Sequence, residues 1–425
     1  MEVSLLIIAM LALLILGMPI GFTLIFIGSI GIFVTGGISS LNGLLSSVTY
    51  SSVNGFTFTA IPLFILMAHL ISRSNIAQDL FDCVNKWIGH LPGGLGVSTV
   101  ISSAGFGALS GSSIAATSIM SKICIPEMIK SNYKDSFSSG LVATSTGTLA
   151  VLIPPSVPLI LYGVQTETPI GKLLIAGMLP GILLVILLSI YIIYISMRTN
   201  IVSERYSWKE RWSSLRTVWP IALLVMFVMI LIYFGVTTST EAAAFGAAGA
   251  LLTGLALRRL NLNSIIMALT ETVKQTAMIF TIIVGGHLFA YFITLSGVGQ
   301  NILNVINESD LSKWSILSLI IICYLILGLF LDLIGSMILT LPLVFPIITS
   351  LGFDPIWFGV VMVLLLEIGL VTPPVGINLF LTSKYSNIPV ERVFYGSIPL
   401  ILLLLFLIML LIIFPQITLY LPSKM

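Results

Sequence analysis

The chain has 425 residues, of which 57% are hydrophobic and only 8% are charged, and its mean hydropathy is +1.14. A soluble domain carries about a quarter of its residues as Asp, Glu, Lys or Arg, so a soluble globular protein is excluded. The formal net charge is +2, and no surface pattern of interleaved basic and aromatic residues indicates a nucleic-acid partner.

Long apolar runs, such as residues 3–34 and 398–414, recur along the chain and can cross a hydrocarbon core about 30 Å thick. The first run lacks a basic n-region and a cleavage site, so we expect a retained span rather than a signal peptide. The sequence therefore predicts an all-α polytopic membrane protein. We predict nine crossings, at residues 5–34, 56–72, 138–166, 173–196, 217–236, 239–257, 276–296, 355–383 and 393–416.

Two further apolar pairs, residues 97–128 and 315–349, are interrupted at Gly111 and Gly335. Each half of such a pair is too short to cross a bilayer, so we predict two re-entrant helical hairpins. Residues 138–166 and 355–383 contain double prolines, which cannot donate backbone hydrogen bonds and should break those two helices.

The hairpins and broken helices belong to an internal repeat. The segment "FILMAHLI" (64–71) resembles "IIVGGHLF" (282–289), which pairs His69 with His287. Gly-Ser in the first hairpin matches Gly-Ser in the second, and five matches in all keep their order at offsets of 218 to 224 residues. An ordered series of this kind indicates a duplication. We predict a first repeat at 1–197, a linker with a connecting helix at 198–238, and a second repeat at 239–425.

Charge distribution sets the orientation. With a cytoplasmic N-terminus, the inside loops hold every one of the 18 Lys and Arg residues except Lys172, Lys313 and Lys424. The two repeats are then inverted, which is the architecture of secondary transporters. Residues 72–90 and 258–276 have mixed polarity and are predicted to be amphipathic helices at the cytoplasmic interface. The loop at 198–216 is predicted to be a cytoplasmic connector that fixes the orientation, and contact with membrane lipids through Trp208 and Trp212 is the alternative.

In the first repeat, polar residues collect at the hairpin and at the helix break. Broken helices expose backbone carbonyls at one end and N–H groups at the other, which suit a small cation and a carboxylate. A small-residue packing surface is the alternative. The candidate binding residues here are Ser110, Gly111, Ser112, Ser113, Thr146, Gly147, Pro154 and Ser156.

The second repeat adds carboxylates within the membrane, which are candidates for a functional site. Asp332 precedes the hairpin Gly-Ser, and Glu367 precedes the second double proline. Glu241 has a simpler account, since Thr238 to Glu241 has the capping-box spacing. The candidate binding residues are Asp332, Gly335, Ser336, Thr372, Pro373 and Gly376, with Glu367, Asn378 and Glu241 in support.

Enzymatic chemistry is not indicated. No phosphate-binding loop suggests ATP hydrolysis, and Ser112 has no base near it in the sequence that would make it a nucleophile. His69 and His287 could form a proton relay, although packed, hydrogen-bonded histidines are the simpler interpretation. We expect no enzyme activity and no cofactor.

Several motifs together resemble a known family. "IPLFILMAHLI", "ALSGSSIAATSIM", "TSTGTLAVLIPPSVPLILYG", "IAGMLPG", "TEAAAFGA" and "LVTPPVGINLF" are similar to the large, DctM-like membrane subunit of TRAP (tripartite ATP-independent periplasmic) transporters. The likeness covers nearly the whole chain.

This resemblance implies an elevator-type, Na⁺-coupled permease in the bacterial inner membrane that imports an organic acid of the C4-dicarboxylate or sialic acid type. It also implies a small four-helix membrane subunit, here expected as a separate chain, and a periplasmic substrate-binding protein. The family's Na⁺ sites at hairpin tips and helix breaks correspond to the candidates above and add Gly328.

Two alternatives stay open. One is a self-sufficient sodium/dicarboxylate symporter that uses the same hairpin architecture without a binding protein. The other is a membrane scaffold subunit that has lost transport. Binding of Na⁺ by the isolated protein would argue against the scaffold.

Overall fold

The computed structural model describes residues 2–74, 76–198, 205–308 and 311–425, and no strand occurs among them. Two short 3₁₀ turns lie at Phe56–Thr59 and Pro422–Lys424. In chain order the helices are α1 (Glu2–Ile15), α2 (Ile20–Ser51), α3 (Ala60–Ser72), α4 (Ile76–Ile88), α5 (Gly94–Ser110), α6 (Ser113–Lys130), α7 (Asp135–Leu152), α8 (Val157–Thr166), α9 (Ile170–Ala176), α10 (Met178–Ser196), α11 (Trp208–Tyr233), α12 (Ser239–Ala256), α13 (Leu262–Leu295), α14 (Val298–Glu308), α15 (Lys313–Gly328), α16 (Leu333–Ser350), α17 (Pro355–Leu370), α18 (Ile377–Ser386), α19 (Val390–Ile413) and α20 (Gln416–Leu419).

Length and composition confirm the polytopic membrane class. Within the described ranges, six helical segments are long and apolar enough to cross a membrane, or eight if each bent pair counts as one span. The predicted crossings at 239–257 and 355–383 lie at α12 and at the α17–α18 pair, which are not among these segments. The six are Ile20–Ser51, Ile170–Ser196, Trp208–Tyr233, Leu262–Leu295, Leu333–Ser350 and Val390–Ile413.

The predicted first span at 5–34 is wrong in its continuity. Helix α1 ends at Ile15, and α2 begins at Ile20 and continues to Ser51. Gly17 between them has φ +85°, a left-handed conformation that glycine adopts at little cost. Pro19 follows as the residue before α2 and cannot donate the hydrogen bond that would continue α1.

The amphipathic helix predicted at 258–276 is also wrong as a separate element. The structure merges it with the following span into α13, a continuous helix of 34 residues capped by the side chain of Asn261. The counterpart of α4 in the second repeat is instead α14. Helix α4 lies between α3 and the first hairpin, and α14 lies between α13 and the second hairpin, so the element order of the repeat is preserved.

Helices α2, α3, α11, α12 and α13 pack mainly with one another, while the hairpins, the broken helices, α10 and α19 form a second group. Close backbone contact holds α2 against α13, because a Cβ atom at Gly28 would lie 2.8 Å from the backbone nitrogen of Phe289. Glycines of this kind let membrane helices approach closely, where van der Waals packing stabilises them.

Both predicted pairs of hairpin helices are present, although α16, with 18 residues, is long and apolar enough to cross a membrane, which contradicts the prediction that every half is too short. In the first, the Thr99 hydroxyl on α5 lies 3.5 Å from the Met128 sulfur on α6, so the far ends of the two helices meet. In the second, the Tyr324 and Thr340 hydroxyls on α15 and α16 lie 2.8 Å apart. The predicted break at Gly335 is wrong by a few residues, because the structure breaks at 329–332 and includes Gly335 in α16.

Both predicted helix breaks are confirmed at their double prolines. Helices α7 and α8 bend by 44° across the four residues between them. Helices α17 and α18 are separated by residues 371–376. The Pro154–Pro155 and Pro373–Pro374 peptide bonds are both cis.

Candidate functional site

The tip of each hairpin is hydrogen-bonded to the break of a neighbouring helix. In the first repeat, the backbone N–H of Val157 donates to the carbonyl of Gly111 at 3.2 Å. In the second repeat, the backbone N–H of Val375 donates to the carbonyl of Leu329 at 3.2 Å. Both pairs are related by an offset of 218 residues, so the structure reproduces the internal repeat at the level of single backbone contacts.

Close backbone packing holds the same elements together within about one helical turn of each tip. A Cβ atom at Gly107 would lie 2.6 Å from the Cα of Ala150, which places α5 directly against α7. A Cβ atom at Gly328 would lie 3.1 Å from the Cα of Gly369, which places α15 against α17. Gly328 was predicted from the family resemblance, whereas its partner Gly369 was not identified as a site residue.

The second helix of each hairpin begins with a side-chain cap. Ser112 accepts a hydrogen bond from the backbone N–H of Ala115 at 3.4 Å, and Asp332 accepts one from Gly335 at 3.4 Å. These two caps are 220 residues apart, so Ser112 is equivalent to Asp332, not to Ser336 as the Gly-Ser match implied. Gly111 has φ +57° and approaches Pro155 closely, which makes glycine necessary at that tip.

A cavity of about 60 Å³ lies between the two tips. Its volume corresponds to about two water molecules, so it can hold a small cation or one carboxylate group and no whole substrate. The predicted residues Gly111, Ser112, Ser113 and Asp332 line it.

A buried polar cluster joins the first tip to the second broken helix. Ser113 donates a short hydrogen bond to the Glu367 carboxylate, and the Asn378 amide donates to Glu367 at 3.2 Å and to Ser113 at 2.9 Å. Gly147 faces this cluster, because a Cβ atom there would lie 2.6 Å from a Glu367 oxygen. Glu367 and Asn378 are both fully buried, and one oxygen of each has no hydrogen-bond partner in the described chain.

Four other candidates make hydrogen bonds around these features. Thr146 bonds to Ser103 at 2.9 Å, which ties α7 to α5. Ser156 caps α8 by accepting from Leu159 at 3.4 Å, and Thr372 donates to the Ile368 carbonyl at 2.7 Å. Ser110 donates to the Gly107 carbonyl at 3.4 Å.

Ser336 and Gly376 differ from these. Ser336 is fully buried, and its hydroxyl has no hydrogen-bond partner in the described part of the chain. Gly376 precedes α18 with φ +42°, which favours glycine.

Several predicted residues lie away from the central cavity. Pro154 lines a separate apolar cavity beside α11, and Pro373 is exposed. Glu241 forms the capping box with Thr238, accepting from its backbone N–H at 2.8 Å, and is exposed at the start of α12. His287 bonds to Ser52 at 2.6 Å.

Sequence reasoning missed Gln275. This residue of α13 lines the central cavity beside the two tips and bonds to His69 at 3.0 Å. Its position inside a mixed-polarity stretch gave no motif that pointed to the cavity.

The arrangement can bind charged species through its oxygen atoms. Hydroxyls, carboxylates and carbonyls released at helix breaks are hard donors that suit an alkali cation, and the N–H groups at the starts of α6 and α16 suit an anionic group. Ser112 and Asp332 bring both kinds of group to one cavity.

The chain matches the family model described as "Tripartite ATP-independent periplasmic transporter, DctM component" over residues 7–417. The large permease protein DctM of a C4-dicarboxylate TRAP transporter from Pseudomonas aeruginosa is 37% identical, with 87% of this chain and 86% of that protein aligned. The large permease protein SiaM of a sialic acid TRAP transporter from Vibrio cholerae is 32% identical, with 97% and 96% aligned. The ectoine counterpart TeaC from Halomonas elongata is 34% identical, with 97% of each chain aligned.

The fold is similar to the crystal structure of the YdaH transporter of Alcanivorax borkumensis, with a TM-score of 0.60. Sequence identity is 12%, and the match covers 91% of this chain and 89% of that one, so the likeness concerns the fold alone. The family match and the three permease relatives agree over almost the whole length. This chain therefore belongs to the DctM family, the large permease component of tripartite ATP-independent periplasmic transporters.

Proposed function

We propose that this chain is the Na⁺-coupled permease of a transporter that imports an organic acid across the bacterial inner membrane. The observation that carries this proposal is the pair of equivalent hydrogen bonds that hold the two hairpin tips to the helix breaks around one small cavity. Broken helices that meet in this way are typical of ion and substrate sites in secondary transporters.

Na⁺ binds at the hairpin tips and helix breaks in this proposal. Ser112 and Asp332 supply a hydroxyl and a carboxylate at the cavity, and the Ser336 hydroxyl, which has no partner among the described residues, lies one turn into α16 from Asp332. A buried hydroxyl without a partner is costly unless an ion or water satisfies it. Bound Na⁺ would offset the negative charge that otherwise repels an acid.

Transport proceeds by an elevator movement. The hairpins and broken helices move as one body against a static group that contains α2, α3, α12 and α13. The division of packing into these two groups supports this view. Helices α4 and α14 connect the groups in corresponding positions of the two repeats and would act as arms.

The substrate is an organic acid of the C4-dicarboxylate or sialic acid class, although two relatives are named for ectoine. A periplasmic binding protein delivers it, and a small four-helix membrane subunit completes the transporter. A cavity of about 560 Å³ between the α1–α2 turn, α13 and the second tip shares Asp332 with the central cavity. Its volume lies in the usual range for small-molecule sites.

The test is uptake into proteoliposomes that contain this chain and the small membrane subunit encoded with it. Succinate or N-acetylneuraminate is added with its binding protein, with and without an inward Na⁺ gradient. We expect uptake that needs both the gradient and the binding protein.

Uptake without the binding protein would instead favour a self-sufficient symporter, and Na⁺-independent uptake would contradict the proposed coupling. The variants Ser112→Ala and Thr372→Ala test the ion sites. If both retain the Na⁺ dependence of the wild type, the assignment of Na⁺ to the tips and breaks is wrong.

A further inference from the structure

The central cavity has very few groups that can recognise an anion. Of its described lining residues, only Ser112, Ser113, Gln275 and Asp332 have polar side chains. The Ser113 hydroxyl already donates its hydrogen bond to Glu367, and the Asp332 carboxylate can only accept hydrogen bonds when it is ionised. Gln275 is therefore the one lining side chain that offers N–H groups, and Ser112 offers one hydroxyl.

A hydrogen bond from α3 fixes the orientation of Gln275. The Nε2 atom of His69 lies 3.0 Å from Oε1 of Gln275, so the ring N–H donates and the amide oxygen is occupied. The amide nitrogen of Gln275 makes no hydrogen bond within the described part of the chain. It is left to donate to a molecule in the cavity.

His69 lies beside an ion pair. Its Nδ1 atom lies 3.5 Å from the Glu271 carboxylate, a contact that is attractive in the imidazolium form, in which both ring nitrogens donate, and Glu271 forms a close ion pair with Arg73. Arg73, Glu271, His69 and Gln275 thus form a series of polar neighbours between α3 and α13 that ends at the cavity. A side chain whose rotamer is held by supporting hydrogen bonds loses less entropy when it binds a ligand.

Gln275 also lies where the small cavity meets the large one. Met278 and Ile282, three and seven residues further along α13, line the cavity of about 560 Å³, and the helical repeat places all three on one face. A carboxylate group in the small cavity could therefore belong to an acid whose remaining atoms occupy the large cavity.

We infer that Gln275 is a specificity-determining residue that donates an amide hydrogen bond to a carboxylate of the transported acid, and that His69 is its positioning residue. This inference rests on the proposed function, because it needs an acidic substrate. It adds a recognition group contributed by α13, outside the hairpins and broken helices.

The test measures acid binding directly, in the purified complex of this chain with its small subunit. Ile114 lines the cavity and is partly exposed, so Ile114→Cys serves as a reporter, with Cys323→Ser removing the exposed native cysteine. Maleimide alkylation of the reporter is followed in Na⁺ as succinate or N-acetylneuraminate is increased. The concentration that gives half-maximal protection reports the affinity of the cavity for the acid.

Gln275→Glu keeps the size of the side chain and replaces the donor with an acceptor. We expect it to raise the half-protective concentration at least about tenfold, since a hydrogen bond to a charged group is lost and repulsion is added. Gln300→Glu, on exposed α14, adds the same charge and should change nothing. His69→Leu should weaken binding about threefold, whereas His69→Gln, which can still donate to Gln275, should restore it.

Uptake by the wild-type complex separates the two proposals. If the wild type accumulates an acid while Gln275→Glu keeps its half-protective concentration, the inference about Gln275 is wrong and the proposed function stands. If His69→Gln and His69→Leu weaken binding equally, the positioning role of His69 is wrong. If the wild type neither accumulates nor is protected by either acid, the proposed substrate class is wrong and the inference falls with it.

Discussion

The two hairpin tips share a backbone design and differ in their side chains. At the first tip, a two-residue break at Gly111 and Ser112 meets a helix break whose residues Pro154 to Ser156 are buried. At the second tip, a four-residue break ends at Asp332 and meets a helix break whose residues Pro373 to Val375 are exposed. Duplication has preserved the geometry of the contact and not its polarity.

The buried cluster makes the difference sharper. Glu367, Asn378 and Ser113 form a hydrogen-bonded group, whereas the residues 220 positions away in each case are Gly147, Pro158 and Leu333, which have no polar side-chain atoms. In this cluster the first repeat supplies the hydroxyl, and the second repeat supplies the carboxylate and the amide. The complete three-residue network therefore forms only when both repeats are assembled.

Substitutions at glycine contacts test whether both repeats need the backbone of the hairpin to lie close to the backbone of the broken helix. Gly369→Ala should lower the free energy of unfolding by about 3 kcal/mol, since its Cβ would collide with backbone atoms of Gly328. Gly107→Ala should cost about 2 kcal/mol, because its Cβ would lie 2.6 Å from the Cα of Ala150. Thermal unfolding of the detergent-purified protein measures both.

Gly43→Ala is the matched control, because the position lies in α2 and no atom lies within 4 Å of an added Cβ. It should be neutral or slightly stabilising, since alanine favours helix by about 1 kcal/mol over glycine. If the three variants unfold at the same temperature, close backbone packing is not what holds the hairpins to the broken helices.

The cross-repeat cluster should have the next largest effect. Ser113→Ala removes a donor to the buried Glu367 carboxylate and should lower stability by about 2 kcal/mol. A double-mutant cycle with Glu367→Gln measures the interaction itself, and we expect the two changes to be less than additive.

Leu333→Ser is the corresponding variant in the second repeat. It places a hydroxyl at the position equivalent to Ser113, where neither Gly147 nor Pro158 can accept or donate through a side chain. It should destabilise the protein with no coupling to Glu367. If Leu333→Ser and Ser113→Ala show similar interaction energies with Glu367→Gln, the polar cluster is not specific to the first tip as we describe.

Local signals predicted the breaks and missed the long-range contacts. The break at Gly111 and those at the double prolines follow from the backbone limits of glycine and proline. The second tip was misplaced because Gly335 and its neighbouring serine resemble the first tip, whereas the cap is Asp332. Gln275 and His69 lie 206 residues apart, and such a pairing exists only in the folded chain.

Substitutions of the two N-cap residues at the tips distinguish the effect of capping on stability from the effect of charge on Na⁺ binding. Asp332→Asn keeps a good N-cap and removes a negative charge, so stability should change by less than about 0.5 kcal/mol while the Na⁺ concentration for half-maximal uptake rises several-fold. Ser112→Ala should instead cost about 1 kcal/mol of stability through the lost cap. Unfolding and uptake measured on the same preparations distinguish the two. An unchanged Na⁺ requirement in Asp332→Asn would remove Asp332 from the ion site.

Effects on stability of about 1 kcal/mol or less should appear where α8 and α18 begin, at equivalent positions with different residues. Ser156 caps α8 from an extended conformation, with φ −114°, and glycine is nearly as good a cap, so Ser156→Gly should cost only a few tenths of a kcal/mol. Gly376 has φ +42°, so Gly376→Ser should cost about 1 kcal/mol through the left-handed backbone. The two reciprocal substitutions should therefore cost different amounts of stability, although they occur at equivalent positions of the two repeats. Equal unfolding temperatures for the two variants would mean that the second break relaxes freely, and that its exposed loop places no constraint on the tip it contacts.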